Sequence, residues 1–162
     1  MVASDKTSTR KVKTMGACEY GTYGFGKTAD EAYRSACDEA RRENGHQEGY
    51  SGDIQTSCGF KMGSTDGLRW TSFMKKMNEL SVANYTRRDE FISEAKRTKA
   101  EAKWSSAKIH FRDMVKLADE KHGPALCVEV TGKVATDMKL DRFGKGNGHG
   151  MKVFYFTGTA SC

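Results

Sequence analysis

Apolar residues along this chain recur at helical spacing in some stretches and alternate at strand spacing in others. The clearest helix follows Thr28. Ala29, Ala32, Tyr33, Ala36, Cys37 and Ala40 share one face, while Asp30, Glu31, Arg34, Asp38, Glu39 and Arg41 share the other. Thr28-x-x-Glu31 forms a capping box in front of it, and Gly45 supplies a left-handed stop. So small an apolar stripe predicts close packing against a sheet. Residues 67–80 predict a second helix, with Trp70, Phe73, Met74 and Met77 on one face and Asp66 as its cap. A weaker box, Thr86-x-x-Asp89, opens a helical stretch that ends before Gly123 and Pro124. About 35 residues at 1.5 Å each would span roughly 52 Å, more than a compact domain of this size can cover. Its middle, residues 93–103, has only alanine as apolar content, and Trp104, Ala107, Phe111, Met114, Val115 and Ala118 then restore a stripe. Two helices are expected there, or one that projects.

Strand patterns fall at 17–23, at 50–62 as one or two strands, at 126–131 and at 151–157. The last two are joined by a segment that ends in the glycine-rich run 144–150. This predicts an antiparallel hairpin with a mobile tongue over 133–150. The expected fold is α+β: a small, mainly antiparallel sheet packed by alanine- and aromatic-faced helices, with one long helical segment. A flexible basic tail over 1–14 precedes a single domain over 15–162.

Composition narrows the class. Only 24 of the 162 residues are Leu, Ile, Val or Phe, yet the chain holds 2 Trp, 6 Tyr and 8 Met, so a small aromatic and methionine core is expected rather than disorder. Five cysteines, odd in number and widely spaced, read as reduced thiols in a cytoplasmic setting. The four histidines lack metal-ligand spacing, so no metal or other cofactor is expected. The first fourteen residues contain no apolar signal region, and no apolar run is long enough to enter a membrane. Net charge is +6, unevenly spread: residues 1–14, 86–122 and 133–152 each carry +3, while 15–62 carry −3.

Gly21 to Thr28 spells G-x-x-x-x-G-K-T, the letter pattern of a phosphate-binding P-loop. On that reading Gly24, Gly26, Lys27 and Thr28 hold an anion. Against it, the preceding strand has no Val, Ile or Leu run, as parallel P-loop sheets require. The alternative is a plain strand-to-helix turn capped by Thr28. The basic tongue offers a second candidate surface, with Lys139, Arg142, Lys145, His149 and Lys152 as contacts for a partner or for nucleic acid. No arrangement of residues stands out as catalytic.

Residues 121–128 (KHGPALCV) with 154–160 (FYFTGTA), and residues 50–56 (YSGDIQT) with Gly59 and Phe60, resemble uncharacterised small accessory proteins of phages and mobile elements. His122 stands where an aromatic would be expected. The resemblance implies a phage-encoded accessory protein that acts inside a host. The expected function is non-enzymatic binding of a host macromolecule, protein or nucleic acid, as an inhibitor of a host or defence system. A P-loop-like nucleotide binder and a minor virion component are the alternatives, and a homo-oligomer is a further option.

Overall fold

The computed structural model describes residues 16–45 and 52–161. The expected tail over 1–14 and the start of the strand expected at 50 lie outside the described residues. In chain order the elements are β1 (Ala17–Gly26), α1 (Ala29–Asn44), one 3-10 turn (Ile54–Thr56), β2 (Phe60–Met62), α2 (Trp70–Arg88) and α3 (Glu94–Ser106). There follow α4 (Ile109–Asp119), β3 (Ala125–Val130), α5 (Gly132–Phe143) and β4 (Lys152–Ser161). The strands form one sheet in the order β1-β4-β3-β2. β1 and β4 run antiparallel over ten residues, from Ala17 opposite Ser161 to Gly26 opposite Lys152. β3 and β4 are antiparallel, and β2 lies parallel to β3. The fold is therefore α+β with a mainly antiparallel sheet, as the pattern predicts.

Strand side chains alternate between two cores. On one face Ala125, Cys127, Phe154 and Phe156 meet Ala32 and Ala36 of α1 and Ile54 of the 3-10 turn. On the other, Leu126, Val128, Val130 and Val153 meet Trp70, Phe73 and Leu80 of α2, Trp104 of α3, and Phe111, Met114 and Val115 of α4. β3 is buried on both faces, which is why its sequence is almost continuously apolar.

α1 starts as its pattern predicts. The Thr28 hydroxyl accepts the Glu31 N–H at 3.2 Å, and the Glu31 carboxylate reaches back to the Lys27 N–H at 2.8 Å. Gly45 ends it with φ at 75°.

The later helices depart from expectation. α2 begins at Trp70, behind an Arg69 that makes no side-chain capping bond. Asp66 does not cap it; its φ is 54° and its carboxylate pairs with Lys108. α2 then runs to Arg88, so Thr86 lies in its last turn and opens no new helix. The chain turns where the Asp89 carboxylate accepts the Phe91 N–H at 2.9 Å. The stretch that follows holds two helices, α3 and α4, one of the two outcomes the pattern predicts. At their junction Ser105 and Ser106 turn their hydroxyls onto the carbonyls of Glu101 and Lys103, an alternative to continuing the backbone ladder. The break lets Trp104 and Phe111 both reach the core, at 4% and 1% exposure.

The expected tongue over 133–150 is also corrected. Residues 132–143 form helix α5, which presents Val134, Ala135 and Met138 to the core. Only the glycine-rich 144–150 remains irregular. The reading of all five cysteines as thiols is corrected as well: Cys18 is disulfide-bonded, while Cys37, Cys58 and Cys127 are free. No described helix is long and apolar enough to cross a membrane.

Candidate partner-binding groove

The G-x-x-x-x-G-K-T segment does not form a phosphate loop. Residues 21–26 continue β1 and pair with β4 from Gly21 opposite Thr157 to Gly26 opposite Lys152. Gly24 and Gly26 serve packing. A Cβ at Gly24 would lie 2.2 Å from the Ala32 carbonyl oxygen, and one at Gly26 would lie 2.5 Å from the Ala32 nitrogen. The Lys27 N–H, which a phosphate oxygen would need, is taken by the Glu31 carboxylate, and Thr28 is an N-cap. A carboxylate at the helix start also repels an anion there. Gly24 and Gly26 are close-packed residues of β1, and Lys27 and Thr28 link it to α1.

The five basic candidates are dispersed in role. Arg142 reaches from α5 across the end of the sheet to Glu39 of α1, with two bonds of 2.8 and 3.2 Å, and its guanidinium lies 5.7 Å from the Phe25 ring centre. Lys152 pairs with Glu129 at 3.1 Å. Both are thus engaged within the fold. Lys139 is half-buried on α5, and Lys145 and His149 are exposed in the glycine-rich segment.

A concavity lies elsewhere, on the α2 and α4 face of the sheet. An inner cavity of about 160 Å³ is floored by Phe73, Met74, Met77, Val115, Leu126 and Val128. It leads into an outer cleft of about 630 Å³ bounded by Ala17, Tyr85, Arg88, Asp89, Glu90, Phe91 and Thr159. Glu19, Ser81 and Asp119 line both, so the two form one groove. Its mouth carries four carboxylates, Glu19, Asp89, Glu90 and Asp119, against one cation, Arg88. Two aromatics flank it: Phe91 is 100% exposed and Tyr85 69%.

Each wall residue is placed by local structure. Glu19 sits on β1, facing away from α1. Asp119 ends α4 and is held by Asn84 of α2, whose side-chain nitrogen donates to it at 2.7 Å. Asn84 is buried, and its oxygen accepts from Arg87 at 2.9 and 3.2 Å. Arg87 in turn lies 4.7 Å over the Trp104 ring and pairs with Glu101 of α3. One buried amide therefore couples α2, α3 and α4 beneath the groove. Asp89, by accepting the Phe91 N–H, fixes the turn that holds Phe91 at the rim. Tyr155 lines the inner cavity, and burial pushes its phenol above the usual tyrosine range. Such a site has an apolar floor for one side chain and a negative mouth for cations. Sequence reasoning missed these residues because they come from elements far apart in the chain. The one local signal is Phe91, which with Ile92 interrupts the charged run 87–94.

Comparison of the chain with family models, curated proteins and solved structures finds no match.

Proposed function

We propose that this chain is a non-enzymatic binding protein that captures a short cationic segment of a protein partner in the groove. An apolar side chain of that segment enters the inner cavity, and flanking lysines or arginines meet Glu19, Asp89, Glu90 and Asp119. The observation that carries this reading is the continuity of an apolar-floored cavity with a carboxylate-lined mouth, on a chain whose net charge is +6. Nucleic acid fits this surface poorly, since four carboxylates repel phosphate. That the partner is a host macromolecule rests on the sequence resemblance alone.

Magnitudes set the expected affinity. Burying one large apolar side chain contributes about 1.5–3 kcal/mol. Exposed ion pairs add about 0–1 kcal/mol each. A bare peptide should therefore bind with a Kd on the order of 0.1 mM. The test is fluorescence anisotropy with a short labelled peptide carrying one phenylalanine among lysines, and the same peptide with glutamates in place of the lysines as control. The lysine peptide should bind and the glutamate peptide should not. Glu19→Lys with Glu90→Lys should weaken binding by about fivefold or more, most strongly at low salt. Equal affinity for both peptides, or no effect of the charge reversal, overturns the reading.

A further inference from the structure

We propose that the open edge of β1 is a dimer interface, where β1 of a second copy of this chain pairs antiparallel with it to give one continuous sheet. The inference does not depend on the reading of the groove. The direction of each β1 backbone group follows from the pairing. The Gly63 N–H donates to the Cys127 carbonyl at 2.7 Å and the Ala125 N–H to the Gly59 carbonyl at 2.8 Å, so the odd-numbered residues of β3 face β2. The even-numbered Leu126 and Val128 therefore bond to Thr157 and Tyr155 of β4. That leaves Phe154, Phe156 and Gly158 of β4 to bond to Gly24, Thr22 and Tyr20 of β1. Ala17, Glu19, Gly21, Tyr23 and Phe25 then turn their N–H and C=O groups away from the sheet. Among the described residues none of these groups has a backbone partner.

A bare edge is normally blunted by brevity, by Lys or Pro, or by a bulge. β2, at the other edge, is three residues long and carries Lys61. β1 is ten residues long, pairs one-for-one with β4, and contains no Lys, Arg or Pro. Its only charge is Glu19, so the edge selects neither a cationic nor an anionic strand. It does match itself. A twofold axis at Gly21 sets the two Gly21 residues opposite each other, Glu19 opposite the second copy's Tyr23, and Ala17 opposite its Phe25. All the outward residues pair in that register. The two Glu19 carboxylates lie four residues apart along the ladder, roughly 14 Å. A register centred on Glu19 would instead oppose them directly. Gly21, with no side chain, lets the second backbone approach closely at the axis. The same patch serves both copies, so the assembly closes at two.

The test is amide hydrogen exchange of the full chain, read by nuclear magnetic resonance, together with sedimentation, from micromolar to millimolar protein. The sedimenting mass should reach that of two chains. As it does, exchange at Glu19, Gly21 and Tyr23 should slow by about tenfold or more, while Tyr20 and Thr22, already bonded to β4, should change much less. Glu19→Pro removes one outward donor without touching a bond to β4, and should weaken dimerisation about tenfold or more. One chain's mass at millimolar protein overturns the proposal. A dimer whose outward amides exchange as fast as those of the single chain joins through another surface and also overturns it. Slow exchange of those amides at one chain's mass shows an edge covered from within and overturns it too. The wild-type comparison decides alone if Glu19→Pro does not fold.

Discussion

Gly24 and Gly26 set how closely α1 lies on the sheet, because a methyl group at either position would strike the backbone of Ala32. Gly24→Ala should destabilise the fold by more than about 2 kcal/mol, through a clash with backbone that cannot rotate away. Lys27→Ala should stay within about 0.5 kcal/mol, since the Lys27 N–H that binds Glu31 survives the change. Chemical denaturation of both variants checks the pair; a larger cost at Lys27 would contradict the packing account. The capping box is legible in sequence because its two bonds lie within five residues. The role of the glycines is not, because the letter match carries no information about strand direction.

Cys127 offers a second test at this scale. It is fully buried, and burial pushes its thiol from 9.0 to about 12. A raised acid pKa means that the folded state holds its proton longer than the unfolded state. The stability it supports is present below pH 9 and is lost as pH rises between about 9 and 12. By pH 11 the loss should be on the order of 2 kcal/mol. Cys127→Ala should flatten that alkaline slope in denaturation curves taken at several pH values. An unchanged slope would assign the loss to other groups, such as Tyr20, whose phenol burial raises to about 12.

Helices were legible where an apolar stripe was strong and illegible where contacts decided the ends. α1 shows both its stripe and its caps in sequence. The boundary between α3 and α4 contains neither glycine nor proline. It arises because Trp104 and Phe111 must both reach one core, which only the tertiary arrangement reveals. α5 escaped notice because its three core-facing residues, Val134, Ala135 and Met138, are sparse among charges. Asn84 joins three of these helices. Asn84→Ala would strand the Arg87 and Asp119 groups that it bridges, at a cost of about 1–3 kcal/mol. The peptide affinity should fall with it, because Asp119 loses its support. A thermal midpoint within error of the wild type would show that the network is dispensable. On the opposite face Ala36→Leu should overpack α1 against the sheet, lowering stability by about 1–3 kcal/mol.

For the whole molecule, overall architecture was legible and the site was not. Sheet strands and helix faces are periodic, so the α+β class follows from local pattern. The groove is assembled from β1, α2, the turn after it, α4, β3 and β4, and no local pattern shows that assembly. Net charge gives no pointer to the groove, whose mouth is acidic on a chain of net charge +6. The redox state is also a property of the whole fold. Under native, non-reducing conditions exposed Cys58 should alkylate readily, while Cys18 should react only after reduction, as read by mass spectrometry.

The methionines provide the most direct view of the central claim. Met74 and Met77 line the inner cavity of the groove, whereas Met62 and Met114 line a separate cleft beside β2. Carbon-13 methyl spectra of methionine-labelled protein, titrated with the lysine–phenylalanine peptide, report on both at once. The account predicts saturable shifts of the Met74 and Met77 methyls, with Met62 and Met114 unmoved. Shifts confined to Met62 and Met114, or no shift at saturating peptide, would contradict it.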